Sequence, residues 1–173
     1  MKIIMKHILI IFLLTAITLS NLGGEYIYSP GEKEAMVGEY LRQSRAEYIR
    51  SQDFSPLLMV EYMELIGLNH ADVVYRQAVL ETGWFTHPRC TVYNNYFGMR
   101  RARVRKHCQA GVWKGHATYE HWTLSVDDYK LWQEYWESED MDMTDYYAFL
   151  KSVGYATARN YTRTLRMIDN LAV

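Results

Sequence analysis

The sequence is poor in cysteine, in proline and in net charge, and each shortage excludes a class of protein. Its two cysteines and six histidines show no C-x-x-C or H-E-x-x-H spacing, so we expect no metal site and no cofactor. A formal net charge of −1 does not suggest a nucleic-acid-binding protein. With three prolines, no internal repeat and no low-complexity linker, the 173 residues favour one domain that can bury its own core.

Long apolar runs are also absent except at the N-terminus. Lys2 and Lys6 precede an uncharged stretch over residues 8–24, which is the pattern of a secretory signal peptide. The small residues Thr18 and Ser20 predict cleavage after Ser20. A retained anchor helix is the alternative, but the stretch contains several polar residues and is short for a span of about 20 apolar residues.

These signals predict a simple organisation: a signal peptide over 1–20, an N-terminal lead over 21–30 and one domain over 31–173. We therefore expect an exported protein, periplasmic or secreted, without stable membrane insertion after cleavage. Export also makes the cysteines informative, because an oxidising compartment favours a disulfide between Cys90 and Cys108. Two free buried thiols are the alternative.

Periodicity and capping signals predict a mostly helical chain, of class α+β, with a small antiparallel β insert. The strands are expected in the Arg-, Gly- and aromatic-rich middle, over 99–105 and 112–121. Predicted helix starts include Ser55 followed by Pro56, a capping box at Ser125 to Asp128, and caps at Thr144 and Thr157. The predicted helices cover about 32–50, 56–66, 71–83, 125–137, 144–153 and 157–171.

One acidic residue in the third helix is a candidate for catalysis. Glu81 follows Val74 by seven residues, so it lies near the apolar stripe of that helix. Apolar surroundings disfavour a charged carboxylate and raise its pKa, which suits a general acid near neutral pH. Gly83 ends the helix and leaves Glu81 in the last turn, where Trp84 is expected to line a cleft. From this residue alone, a surface Glu at a helix end is the simpler interpretation.

Four segments, in order, resemble motifs of the bacterial glucosaminidases that hydrolyse peptidoglycan. The first reads Q-A-V-L-E-T-G-W and is similar to the family's Q-A-x-L-E-[ST]-G-W. The others are N-N-Y-F-G-M-R, Y-E-H-W with S-V and a later Tyr, and G-Y-A-T with a following N-Y, and together the four span about 70–170. The details resemble short secreted members from Bacteroidetes.

The resemblance implies a lysozyme-like fold and cleavage of the bond between N-acetylglucosamine and N-acetylmuramic acid. Peptidoglycan glycan strands would then be the partner. The catalytic Glu of the family matches Glu81, and a tyrosine tied to catalysis matches Tyr155, with Tyr161 as the fallback and a core position as the alternative. Substrate-binding positions are expected at Trp84, Asn94, Asn95, Phe97, Tyr119, Trp122 and Tyr161. For at least one of the two asparagines, a turn residue is the simpler interpretation.

The chain departs from the family in its β insert. Many members carry a second acid there, whereas residues 99–118 contain no Asp or Glu, and the nearest acid is Glu120. A two-carboxylate mechanism needs the second group about 5–9.5 Å away. If Glu120 does not reach, the acetamido group of the substrate is the alternative nucleophile. A lytic transglycosylase, which manages with one Glu, and a non-catalytic wall-binding module are the alternative functions.

The β insert is instead rich in arginine. Arg101, Arg103 and Arg105 would share one face of a strand, next to Arg100 and Lys106. A solvated strand face is the simpler interpretation of this cluster. The functional one is attraction to the carboxylates of wall peptide stems, which salt weakens.

Overall fold

The computed structural model describes residues 28–155 and 158–168. The chain forms two units, residues 1–43 and 44–173, and every residue of the site belongs to the second. The predicted signal peptide, with its cleavage position at Ser20, lies outside the described residues. Within the described part, no helix is long and apolar enough to cross a membrane.

Seven helices and one hairpin are found in the described residues. In chain order they are α1 (Pro30–Ile49), α2 (Pro56–Leu65), α3 (Ala71–Thr82), α4 (Pro88–Thr91), β1 (Gly111–Trp113), β2 (His116–Thr118), α5 (Trp122–Ser138), α6 (Tyr146–Ser152) and α7 (Tyr161–Arg166). This is the mostly helical α+β architecture that the sequence predicts.

The first helix begins at Pro30, inside the turn predicted before residue 32, whereas α2 and α3 follow their local signals. The Ser55 side chain accepts a hydrogen bond from the Leu58 amide at 3.2 Å, and Pro56 occupies the first turn of α2. At the end of α3, Gly83 adopts a left-handed conformation and its amide bonds back to the last turn. That cap ends the helix directly after Glu81 and Thr82, as predicted.

The later helices begin at residues other than those predicted. The start of α5 is capped by His121, whose ring accepts from the Thr123 amide, and not by the predicted box at Ser125. Ser125 and Asp128 are buried inside the helix, where the Ser125 hydroxyl donates to the Trp122 carbonyl and the Asp128 carboxylate binds Arg105. Asp145 caps α6 in place of Thr144. The predicted cap at Thr157 lies outside the described residues, and α7 begins at Tyr161.

The β insert is smaller than predicted and differently paired. Both strands come from the second predicted segment, with Gly111 opposite Thr118 and Trp113 opposite His116. Lys114 and Gly115 form the connecting turn, both at positive φ, which matches the twist of a two-residue hairpin. The predicted strand over 99–105 is a loop that touches the hairpin through one bridge, from Arg100 to His116.

The predicted disulfide is wrong. Both cysteines are free: the Cys90 thiol is buried and donates to the His87 carbonyl at 3.0 Å, whereas the Cys108 amide donates to Asp128. The two side chains lie in different surroundings, the first within the core and the second among the charges of Asp127, Asp128 and Arg105. Burial raises the pKa of both thiols, which therefore stay protonated.

Candidate active site

An open cleft of about 890 Å³ lies beside the C-terminal end of α3. This volume falls in the range of sites that bind small molecules or parts of larger ones. Glu81, from the last turn of α3, lines the cleft with its side chain 21% exposed. The prediction that Glu81 faces a hollow at a helix end agrees with this position.

The Glu81 carboxyl has two close partners. Oε1 accepts a hydrogen bond from the Tyr161 hydroxyl at 3.1 Å, and Oε2 lies 3.5 Å from Nη1 of Arg89. Burial raises the pKa of Glu81, while the Tyr161 hydrogen bond and the Arg89 charge act in the opposite direction. Because burial outweighs the two partners, the carboxyl is held toward its protonated form.

The tight turn at Gly98 lies directly against the Glu81 carboxyl. Gly98 has a φ of +65°, and a Cβ placed there would lie 2.7 Å from Oε2 of Glu81 and 3.0 Å from Nη1 of Arg89. Only a glycine allows both this backbone conformation and this approach. Gly98 therefore sets how close the chain passes behind Glu81.

Tyr161 is held by a buried chain of hydrogen bonds. Its hydroxyl accepts from the Gln77 amide at 3.3 Å, and the Gln77 carbonyl accepts from the Tyr129 hydroxyl at 2.6 Å. Since the Tyr129 proton goes to Gln77, the Tyr129 oxygen accepts from the Tyr146 hydroxyl at 2.9 Å. Each donor therefore points toward Glu81, an order in which neighbouring hydrogen bonds strengthen one another.

Two other predicted site residues lie in the cleft. The Tyr155 hydroxyl donates to the Phe97 carbonyl at 2.7 Å, and both residues line the cavity. Phe97 is 1% exposed and packs on Tyr129, so it forms part of the floor. The tilted rings of Tyr155 and Tyr161 pack with their centroids 6.0 Å apart. Burial raises the pKa of Tyr155 well above its usual value, so its phenol stays neutral.

The aromatic wall of the cleft was missed in the sequence. Trp132, Tyr135 and Trp136 come from one face of α5, at the i, i+3 and i+4 spacing that could have indicated it. Their rings offer apolar surface to a sugar, with polar edges beside it. Two buried donors of the lining, Nε1 of Trp136 and Nε of Arg89, have no hydrogen-bond partner within the described residues.

Arginine dominates the rest of the lining. Arg89 lies beside Glu81, while Arg100, Arg101 and Arg103 come from the loop that precedes β1. Among the described residues that line the cleft, Glu81 is the single acid. The cleft therefore combines one carboxyl whose pKa is raised by burial with an excess of positive charge.

The second predicted acid does not belong to this cleft. Glu120 is exposed and is not part of the lining. Its neighbour Tyr119 is buried, whereas Glu120 lies at a bend after β2 and faces solvent. The prediction of Glu120 as a catalytic residue is therefore corrected, because its side chain does not share the cleft with Glu81.

Trp84 is corrected as well. It has a φ of +60° and is 55% exposed outside the lining, while the following Phe85 packs into the core on Phe54 at 5.0 Å. Of these two adjacent rings, Phe85 packs against the core and Trp84 remains exposed to solvent. The expected tryptophan wall is supplied by α5 instead.

The remaining predicted sugar contacts are structural. Asn95 is fully buried and bonds the Met99 and Ala117 carbonyls at 2.9 and 2.8 Å, which shapes the turn containing Gly98. Asn94 sits at a φ of +53° and donates to the Tyr119 carbonyl, as a turn residue does.

Two predicted aromatic contacts lie in the core. The Tyr119 hydroxyl donates to Asp128 at 2.6 Å, and the Trp122 indole donates to the Gln52 carbonyl at 2.9 Å. Both rings are almost fully buried, so neither can stack on a sugar.

No cluster of three or more metal-binding side chains occurs in the part of the chain that the structure describes. A family model described as mannosyl-glycoprotein endo-β-N-acetylglucosaminidase matches residues 58–171, which include the whole cleft lining. The chain belongs to the glucosaminidase family. The fold is accordingly the lysozyme-like α+β fold, and the protein is a glycoside hydrolase by family. Comparison with curated proteins and with solved structures found no match.

Proposed function

We propose that this glucosaminidase hydrolyses peptidoglycan, at the glycosidic bond that follows N-acetylglucosamine, with Glu81 as general acid. The observation that carries the proposal is a partly buried carboxyl with a raised pKa on an open cleft. Such a group keeps its proton closer to neutral pH than an exposed Glu and can give it to the leaving glycosidic oxygen.

The single acid of the lining supports a mechanism assisted by the substrate. In the first step, Glu81 donates its proton to the glycosidic oxygen while the acetamido oxygen attacks C1, and the bond from C1 to the leaving sugar breaks. In the second step, the Glu81 carboxylate takes a proton from water as that water opens the cyclic intermediate at C1. One protein carboxyl, used first as acid and then as base, balances both steps.

Tyr161 and Tyr155 have different proposed roles. The Tyr161 hydroxyl bonds Glu81 directly and orients the carboxyl, so it stabilises the charged form left after proton transfer. Tyr155 lines the same cleft with a phenol that stays neutral, which suits positioning of the acetamido group or of water. Neither tyrosine is a candidate base, because burial disfavours the phenolate of both.

A lytic transglycosylase is the second candidate, and the same single acid favours it. In such an enzyme one carboxyl protonates the leaving sugar and then takes the proton of the C6 hydroxyl of muramic acid, whose oxygen attacks C1 of the same sugar in place of water. The product ends separate the two: hydrolysis leaves a reducing N-acetylglucosamine end, and transglycosylation leaves a 1,6-anhydromuramic end. Mass spectrometry of digested wall sacs distinguishes these products.

The role of Glu81 is tested by Glu81→Gln, with Glu120→Gln as a matched control outside the cleft. The amide keeps the shape of the side chain but cannot donate the acid proton, so clearing of peptidoglycan should fall by about 10²–10⁴-fold. The control should clear at the wild-type rate. Full activity of Glu81→Gln would refute the role, and wall binding by wild-type protein without cut products would select a non-catalytic binding module.

Export, to the periplasm or the medium, is part of the same proposal, since the substrate lies outside the cytoplasm. The charged and apolar pattern of residues 1–20 supports it. Mass spectrometry of the mature protein should find an N-terminus at Asn21. An intact Met1 on protein recovered from the cytoplasm would contradict export.

A further inference from the structure

Three arginines of the cleft have no charged partner. Arg100, Arg101 and Arg103 are exposed and line the cavity, and none of their side chains makes a hydrogen bond or ion pair within the described residues. The one acid of the lining, Glu81, already faces Arg89. Their positive charge is therefore directed into a cleft that does not neutralise it.

The loop that carries these arginines is fixed at its first end by the hairpin. The Arg101 amide donates to the Gly115 carbonyl at 3.2 Å, and Arg100 bridges His116. The Ala102 amide donates to the Gln109 side chain at 3.1 Å, which closes the loop on itself. The backbone on both sides of Arg101 is thus held in place.

A buried ion pair fixes the other end. Arg105 binds the Asp128 carboxylate with both terminal nitrogens, at 2.9 and 3.0 Å, and Asp128 is fully buried in α5. The same carboxylate accepts from the Cys108 amide and from the Tyr119 hydroxyl. Arg105 thus anchors the end of the loop to α5, and the anchored loop holds Arg100, Arg101 and Arg103 along the cleft.

We propose that Arg100, Arg101 and Arg103 form a subsite for the carboxylates of the peptide stems, placed along the cleft from Glu81. The inference rests on the proposed function, because it names which part of the peptidoglycan the cleft selects. Guanidinium groups bind carboxylates through paired N–H donors, and the sugars of the strand are uncharged apart from their stems. Stemmed strands would bind in preference to bare ones.

The test compares three substrates made from one batch of wall sacs. The first is untreated, the second has its stem carboxylates converted to amides, and the third is stripped of stems by an amidase, which leaves only the lactyl carboxylate. The enzyme is compared with a triple variant, R100Q/R101Q/R103Q. A matched control, K114Q/K151Q/R163Q, removes the same charge from exposed residues outside the lining.

We expect the wild-type kcat/KM to be about 10-fold higher on untreated strands than on either treated substrate. The difference should come from a lower KM for untreated strands, and it should disappear at high salt. The triple variant should cut all three substrates at the lower rate, and the control should behave as wild type. Equal cutting of all three by wild type would overturn the subsite alone, whereas cutting of none would overturn the proposed function.

Two further outcomes would also overturn the subsite. Full activity on stripped strands would assign the arginines to the lactyl carboxylate and not to the stem. A triple variant that loses activity equally on every substrate would make the three side chains structural.

Discussion

Replacing Gly98 by alanine perturbs the Glu81 carboxyl through one methyl group. The added Cβ would lie 2.7 Å from Oε2 of Glu81, inside the 3.4 Å at which ordinary contacts begin. Relief requires a relative movement of about 0.7 Å, and Arg89, 3.0 Å away on the same side, restricts where the atoms can go. Because Gly98 is held in a turn by Asn95, we expect the carboxyl to move.

The expected effects on stability and on activity differ in size. A positive φ of +65° costs an alanine about 1–2 kcal/mol in the folded state. A misplacement near 1 Å can cost about 10²-fold in rate, so a smaller shift at Glu81 should lower kcat by about 10- to 100-fold. The expected fall in kcat is thus larger than the modest loss of folding stability can explain.

A second glycine provides the matched control. Gly67 has the same φ of +65°, but a Cβ there would meet only the flexible end of Lys130, at 3.7 Å. Gly67→Ala should therefore lose the same stability and keep its kcat. The two variants are compared by thermal unfolding and by the rate at which wall sacs are cleared, at a temperature where both are folded.

The refuting result is equally specific. If Gly98→Ala and Gly67→Ala keep the same kcat, the carboxyl tolerates displacement and its position is not set by the turn. If both lose activity in parallel, the loss follows from the left-handed backbone and not from the contact with Glu81.

Three further predictions concern titration and the thiols. Tyr161→Phe and Arg89→Gln each remove a group that lowers the pKa of Glu81, so the alkaline limb of the pH–activity profile should move to higher pH; a move to lower pH would contradict this assignment. The raised pKa makes the folded protein bind a proton that the unfolded chain releases. Wild-type stability should therefore fall as pH rises from about 4.5 through the raised pKa, and Glu81→Gln should lack this fall in urea unfolding series. Since Cys90 and Cys108 are free, a reductant should leave the melting temperature unchanged, whereas a disulfide would add about 2–4 kcal/mol that reduction removes.

Part of the candidate site was predictable because it depends on neighbours in the chain. The cap at Gly83 and the apolar stripe of α3 place Glu81 in a last helical turn through contacts a few residues apart. The positions of Tyr155 and Tyr161 were matched by resemblance. The hydrogen bond from Tyr155 to Phe97 and the one from Tyr161 to Glu81 were not predictable. Their sequence separations are 58 and 80 positions, too long for any local signal.

The errors share one physical origin, which is competition for the interior. Trp84 and Phe85 are adjacent aromatic residues, and only the packing around Phe54 decides which ring is buried. Trp122 is a residue type that can stack on sugars, but here its ring is buried and its indole N–H donates to the Gln52 carbonyl. Single-residue chemistry does not distinguish these outcomes.

The sequence by itself determined the mostly helical class, the ends of the early helices and the acid at position 81, because periodicity and caps act within a few residues. Tertiary structure alone decided which groups face that acid. Arg105 serves as an anchor because α5 offers Asp128 from 23 positions away, and the thiols stay apart because each is buried in different surroundings. Long-range contacts of this kind have no local signal, since they arise only when distant segments pack together.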